Sequence, residues 1–314
     1  MNYSAEFEAI AQAYELSGGD AALLKSDTVA SLVVSGNQML AKNEIPGIHM
    51  RSEKRENGVD VWLTVDPNTI VEQAIHLCFG VIPEEGLQEI ISRYEIGDGA
   101  QVEFLAHCSF PNALDVTHAM EAQVEVGAGA AMIYNEVHYH GPQGGVTTLP
   151  KTRAIVGPSG RYFSNFKMIE GKVGKLEIDF VADLERRAVG EFTAKAYGKS
   201  DDSVKVQEVI YLAGEKARGL TKTNVVVVDQ ANSEVYTEMH GLAPHTRGHM
   251  DCTEVVDDQG TAKNVPVVLV SHHTAKVTHE AAIGSVDRDQ VEVLMARGVK
   301  EDDAVDIVVE GLLQ

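Results

Sequence analysis

Gly248-His249-Met250-Asp251-Cys252-Thr253-Glu254 is followed, 24 residues after Glu254, by Thr278-His279-Glu280-Ala281-Ala282-Ile283-Gly284. Between the two lies the apolar run Val267-Val268-Leu269-Val270. Cys252 and Glu280 are therefore 28 residues apart (280 − 252) with a strand-like run between them. One turn of a stacked β-coil takes about 20–30 residues, and residues one coil apart stack roughly 5 Å apart. A thiolate and a carboxylate could then line one wall. Side chains alternate along a strand, so His279 faces away from Glu280, and His249 and Asp251 face away from Cys252. Cys252 can share a wall with either Glu280 or His279. All three meet only through a bend or a second subunit. Thiol, imidazole and carboxylate are the donors that hold iron and other transition metals.

Upstream of this stretch the period-two signal recurs. Val59, Val61, Leu63 and Val65 alternate with Asp60, Trp62, Thr64 and Asp66. Further runs are Val102–Leu105, Ala122–Val126, Leu176–Phe180, Val204–Val209 and Asn224–Val228, separated by Gly, Asp and Asn. No long helical pattern appears between about residues 100 and 285, which excludes alternating β/α architectures. A sandwich, a barrel and an irregular parallel β-helix all fit such short strands. Val156-Gly157-Pro158-Ser159-Gly160 reads as a hairpin turn.

Both ends read as helical. Phe7, Ile10, Ala11 and Tyr14 recur at helical spacing, Gly18-Gly19 breaks the pattern, and Asp20 can cap a second helix running toward Leu32 and Val33. Near the other end Val291, Leu294 and Met295 form a stripe, Gly298 can end that helix, and Glu301-Asp302-Asp303 can start another. The last helices either close the β-core or present a surface to a partner. Three segments follow: helical residues 1–57, a β-core over 58–285 and helical residues 286–314.

Composition narrows the function. Of 314 residues, 44% are apolar and 23% charged, as in an ordinary soluble globular protein. No apolar run approaches the ~20 residues of a membrane span, and Met1-Asn2-Tyr3-Ser4 opens no signal peptide; a cytoplasmic protein is expected. A net charge of −21 argues against nucleic acid. Cys78, Cys108 and Cys252 make no disulfide framework. Apolar neighbours mark Cys78 and Cys108 as buried, inert thiols, whereas ionisable residues surround Cys252. His138-Tyr139-His140 points two rings the same way, and a half-exposed strand pair is its default reading. His272-His273 reads as a turn. A Walker lysine loop, a dinucleotide fingerprint and a nucleophile elbow are all missing, so ATP, if the process needs it, comes from a partner.

The segment from about Leu176 onward resembles the core domain of the SufB/SufD family of iron–sulfur cluster assembly proteins. The likeness rests on Lys222-Thr223-Asn224-Val225-Val226-Val227-Val228-Asp229 leading to Tyr236-Thr237-Glu238-Met239-His240-Gly241, on the Cys252 segment, and on Pro266. It continues through Ala275-Lys276-Val277-Thr278-His279-Glu280-Ala281-Ala282-Ile283-Gly284, Met295-Ala296-Arg297-Gly298 and Gly311-Leu312-Leu313. It covers roughly the last 140 residues. The resemblance implies an all-β core: a right-handed parallel β-helix flanked by α-helical N- and C-terminal segments. It implies pairing of two such subunits and docking of a SufC-like ABC-type ATPase on residues 286–314. By position Cys252 matches the assembly cysteine, Glu280 its acidic partner and His279 an interface histidine. These three would bind the metal and the transient iron–sulfur cluster, expected as [4Fe-4S]. The chain is shorter than bacterial SufB or SufD and lacks the N-terminal cysteine motif of long SufB proteins. It looks most like the compact archaeal form sometimes called SmsB, in which one subunit pairs with itself.

The expectation is a non-catalytic scaffold in a homodimer. One cysteine per chain suits a labile cluster better than a permanent one, because stable four-iron clusters have four cysteine ligands. A SufD-like structural subunit without a cluster is the alternative. A β-helix enzyme acting on acidic polysaccharide is disfavoured by the chain's own acidity.

Overall fold

The computed structural model describes residues 4–313; Met1-Asn2-Tyr3 and Gln314 lie outside the described residues. Helix α1 (Ala5–Leu16) is followed by β1 (Ser31–Ser35), β2 (Gln38–Asn43), β3 (Ile48–Lys54) and β4 (Gly58–Val65). Then come β5 (Ile75–Gly80), β6 (Glu85–Ile96), β7 (Gln101–Phe110), β8 (Asp115–Val126), β9 (Ala131–His140), β10 (Val146–Val156), β11 (Arg161–Glu170) and β12 (Lys175–Leu184). The core closes with β13 (Val189–Gly198), β14 (Ser203–Leu212), β15 (Arg218–Val227), β16 (Asn232–Gly241), β17 (Arg247–Val256), β18 (Thr261–Val270) and β19 (Lys276–Ser285). Helices α2 (Arg288–Met295) and α3 (Glu301–Leu312) end the chain.

From β5 onward successive strands alternate between two sheets. One sheet runs β2-β1-β5-β7-β9-β11-β13-β15-β17-β19 and the other β3-β4-β6-β8-β10-β12-β14-β16-β18. All pairings are parallel except β1–β2 and β3–β4. The chain is thus a parallel β-helix of about eight turns, with its few helices at the two ends. Alternate residues of each strand point into one continuous lumen. In β12, for example, Leu176, Ile178, Phe180, Ala182 and Leu184 are buried and belong to the main core.

The turns explain why no repeat is visible in the sequence. In one of the two turn columns, one residue per coil takes positive φ: Asn68, Gly99, Gly129, Ser159, Arg187, Lys216 and His245. In five consecutive coils its N–H donates to a carbonyl of the next coil: Gly99 to Ala128, Gly129 to Pro158, Ser159 to Arg186, Arg187 to Glu215 and Lys216 to Pro244, at 2.8–2.9 Å. A left-handed conformation costs ~1–2 kcal/mol for a residue with a Cβ. The intercoil hydrogen bond offsets much of that, so Gly, Ser, Arg, Lys and His all occupy the position. The geometry repeats while the residue type does not.

Every period-two run singled out above lies in a strand, except that Val228 falls just beyond β15. The hairpin reading of Val156–Gly160 is corrected: this turn joins β10 to β11, which lie in different sheets. The N-terminal helical reading also fails beyond Leu16. Asp20 Oδ1 accepts from Ala22 N, but only a single 3-10 turn, Leu23–Lys25, follows. Leu32 and Val33 lie in β1, which is buried along its whole length, so β-structure begins at Ser31 rather than near residue 58. β-branched Val33 and Val34 favour the strand once α1 and the lumen cover both of its faces.

Helix α1 starts at Ser4, whose hydroxyl accepts from Phe7 N at 3.1 Å. It buries Phe7, Ile10 and Tyr14 against Val33 and Cys78. At the other end α2 and α3 bury Val291, Ala304, Val308 and Val309 against Tyr197, Val226 and Val255. As the sequence predicts, Gly298 follows α2 at φ +93°.

Candidate functional site: the polar lumen below the open end

Among the described residues, the last coil, β18 and β19, has no strand beyond it, and most of its side chains are exposed. One coil inside, the lumen is closed. Cys252 on β17 points inward and is 1% exposed. Its register partners are Thr223 on β15 and Ala281 on β19.

A coil here is 29 residues, as Cys252 and Ala281 show (281 − 252). The 28-residue spacing to Glu280 therefore falls one residue short, and one residue is enough to change face. Glu280 pairs with Asp251 and lies on the outer face of the sheet, in a column with Lys222. His279 pairs with Met250, a luminal residue, and so lies on the face that carries Cys252. The alternation argument holds; within one chain it is His279, not Glu280, that shares the wall of Cys252.

Around Cys252 the lumen turns polar. Glu208 and Thr237 are register partners in one sheet, Thr223 and Cys252 in the other. Two contacts across the lumen close the square: Thr223 Oγ1 donates to Glu208 Oε2 at 2.7 Å, and Thr237 Oγ1 lies 3.5 Å from Cys252 Sγ. Nearby, Ser233 Oγ donates to Glu254 Oε1 at 2.5 Å. Glu208 Oε1, Thr221 Oγ1 and Glu254 Oε2 are buried with no partner. Such groups are rare in native interiors and need a reason, because each loses its hydration without recompense.

Burial also sets the protonation. It pushes the Glu208 carboxyl up to about 8, against the opposing hydrogen bond from Thr223. Glu254 is raised for the same reason. Burial, then the neighbouring acids Glu208, Asp251 and Glu254, push the Cys252 thiol up to about 11, although the Thr237 hydroxyl favours its thiolate. At neutral pH the square holds a thiol and a mostly protonated carboxyl. Cys252 must therefore release its proton before it can bind a cation, and Glu208, already mostly protonated, is not placed to accept it at neutral pH. Sequence reasoning missed Glu208, Thr223, Thr237 and Glu254 as site residues. The signal was present in β14, where Val204, Val206, Ile210 and Leu212 share the inward face with one charged residue, Glu208.

The other histidines separate into roles. His249 Nδ1 meets Thr278 Oγ1 at 2.8 Å on the outer face. His240 stacks on Tyr211 and hydrogen-bonds Glu238. His272 stacks on His273 and engages Thr274, in the turn expected of it. His138 and His140 do point the same way, but inward: at 1% and 0% exposed they are luminal, which corrects the half-exposed reading.

Comparison with known proteins agrees with this architecture. A family model described as SUF system FeS cluster assembly, SufBD core domain, matches residues 92–312, well upstream of the Leu176 where the resemblance begins. An iron–sulfur cluster assembly SufBD family protein of Pyrococcus horikoshii is 33% identical over 313 residues, covering 100% of this chain and 95% of the relative. One of Methanocaldococcus jannaschii is 32% identical over 283 residues, covering 90% and 89%. Iron–sulfur cluster assembly protein SufB of Bacillus subtilis is 23% identical over 135 residues, 33% of this chain and 29% of that protein. With nearly full-length relatives of this kind and a core-domain match over most of its length, the chain belongs to the SufBD family of iron–sulfur cluster assembly proteins.

Proposed function

We propose that this protein is a non-catalytic cytoplasmic scaffold subunit of a SUF-type complex, and that two copies meet through the open end of the β-helix to build a transient [4Fe-4S] cluster as cargo. The observation that carries the reading is the open last coil, with Cys252 one coil beneath it. Strands β18 and β19, each paired on one side only, offer two sheet edges, and Val268, Leu269, Val270 and Ile283 are exposed there. Bare apolar edges of this length recruit another strand or chain. Pairing by a twofold axis would bring two sets of Cys252, His279 and Glu280 to one interface. Iron would lower the Cys252 thiol pKa and take the thiolate as ligand.

An ABC-type ATPase docks, in this reading, on residues 286–314. Val293, Leu294, Ile307 and Leu312 line a groove between α2 and α3. Movement of the helices would open and close the interface at the open end beside them.

Anaerobic reconstitution with iron and sulfide tests the proposal, read by absorbance and Mössbauer spectroscopy with wild type beside Cys252→Ser and light scattering in parallel. A cluster on a wild-type dimer that is absent from the folded variant supports it. A full cluster on Cys252→Ser removes the ligand assignment. A second reading, a SufD-like structural subunit that holds no cluster, is favoured by the near-complete burial of Cys252 and its raised pKa. It predicts no cluster in either protein, with or without the ATPase.

A further inference from the structure

A second group of metal-type donors lies in the lumen of the middle coils, apart from the open end. Cys108 on β7 and His138 on β9 are register partners on adjacent parallel strands. His118 on β8 reaches toward them from the facing sheet. One donor atom from each of Cys108, His118 and His138 lies within 4.8 Å of the others, and all three residues are buried. A tetrahedral zinc ion with one sulfur and two nitrogen ligands needs separations of ~3.3–3.6 Å, so side-chain adjustments of about 1 Å would close the set.

The hydrogen bonding leaves imidazole nitrogens free on both histidines. His138 Nε2 is held by Glu136 Oε1 at 2.6 Å, and Nδ1 has no partner. Metal-bound imidazoles carry this arrangement, with a carboxylate on one nitrogen and the ion on the other. His118 is 0% exposed, yet neither of its ring nitrogens has a partner. The residues stacked above and below it are Gln88 and Thr148. The Gln88 amide donates instead to Gly36 O and Gly80 O, and the Thr148 hydroxyl pairs with His140 Nε2. His140 also engages the Lys172 and Val173 carbonyls through Nδ1, so it stands outside the set. Burial holds His118 neutral, the form that binds metal. Met120 Sδ lies 3.9 Å from Cys108 Sγ, a soft fourth donor at the rim.

We propose that Cys108, His118 and His138 form a structural site for one borderline-soft transition-metal ion, zinc(II) being the best match to a mixed sulfur and nitrogen set, with Glu136 orienting His138. The ion ties three consecutive strands and both sheets together at one level of the lumen. Bound during folding, it acts as a pin independent of cluster chemistry at Cys252. The alternative is a dry stack of aromatic rings, since Phe110 packs on His118 with centroids 4.8 Å apart and Phe166 on His138 at 4.9 Å.

The test uses the full chain produced in zinc-supplemented cells, dialysed against excess chelator and assayed for metal by mass spectrometry. Wild type and Cys252→Ser should each retain about one zinc per chain, and Cys108→Ser and His118→Gln close to none. Glu136→Gln should keep the donors but bind roughly 10–100-fold more weakly. X-ray absorption of the wild type should show one sulfur at ~2.3 Å and nitrogens at ~2.0 Å, a readout that survives even if the variants fail to fold. No retained zinc in the wild type, retention unchanged by Cys108→Ser, or a sulfur-free shell would each overturn the site.

Discussion

The two ends of the β-helix solve the same problem in opposite ways. Both sheets must stop at each end, which leaves backbone edges and an open lumen. At the N-terminal end β2 and β3 turn back antiparallel, carry Lys42, Arg51, Glu53 and Lys54, and leave the first luminal residues Leu32, Val34, Ile48 and Met50 buried. Helix α1 then covers the outer face. At the C-terminal end β18 and β19 stop in full-length parallel register, and α2 and α3 pack to one side of the lumen rather than over it. Val268 and Ile283 stay exposed at 36% and 53% although their partners, Met239 and Glu254, are luminal. One end is finished within the chain and the other is not, and the polar square around Cys252 sits under the unfinished one.

The contrast can be broken most forcefully by paired truncations. Phe192 lies in the closed lumen against Tyr162 and Phe180. Phe192→Ala should cost about 3–5 kcal/mol in chemical denaturation. Val268→Ala in the dissociated chain should cost less than ~0.5 kcal/mol. A comparable cost at Val268 would mean that the last coil is packed after all.

Next in size is the pH dependence of the lumen below the open end. Glu208 has its folded pKa raised from 4.5 to about 8 by burial. The folded state therefore holds this proton more tightly than the unfolded chain. Its contribution is fully present below about pH 4.5 and is lost as pH rises through about 8, on the order of 5 kcal/mol as an upper limit. Glu208→Gln should remove that slope, and equilibrium unfolding of both proteins between pH 5 and 9 measures it. If water enters from the open end, wild type and variant will run parallel.

A charge on the edge strand tests what the unfinished end is for. Ile283→Asp should weaken self-association about 100-fold, seen as a shift from dimer to monomer by light scattering, with little change in melting temperature. The matching change on the outer face, Glu280→Gln, should leave folding unchanged and affect only what forms at the interface.

How much of this was legible in the sequence follows from the same geometry. Strands β4, β7, β8, β12, β14 and β15 were legible because one wall of a lumen imposes strict alternation, as in Val204-Val206-Glu208-Ile210. The β-helix itself came through resemblance, because its turn position accepts Ser159, Arg187 and Lys216 as readily as Gly99. The helical reading of Leu32 and Val33 failed because α1 and the lumen bury both faces of β1, erasing its alternation. The pairing of Cys252 with Glu280 failed by one residue, since a coil of 29 rather than 28 changes the face. The lumen sites were harder still. His118 meets Cys108 and His138 only through stacking across two sheets, and no local spacing encodes that.

The smallest effect separates the helices that flank the two ends. Each is tied to the β-core by a tyrosine hydroxyl. Tyr14 OH meets His76 Nδ1 at 2.7 Å, both residues buried. Tyr197 OH donates to Asp306 Oδ1 at 2.8 Å, and Lys199 Nζ reaches the same oxygen at 2.9 Å. Tyr14→Phe leaves a buried imidazole nitrogen without its hydroxyl partner, so it should cost about 1–2 kcal/mol. Tyr197→Phe leaves a half-exposed carboxylate that keeps its lysine, and should cost about 0.5–1 kcal/mol. Hydrogen exchange would report the difference locally, with α1 amides accelerated in the first variant and α3 amides in the second. A weaker tie at α3 would suit the movement proposed for that helix against the core, whereas α1 has only to stay in place. Equal costs at the two tyrosines would leave α3 as firmly fixed as α1 and remove the physical basis for a moving C-terminal segment.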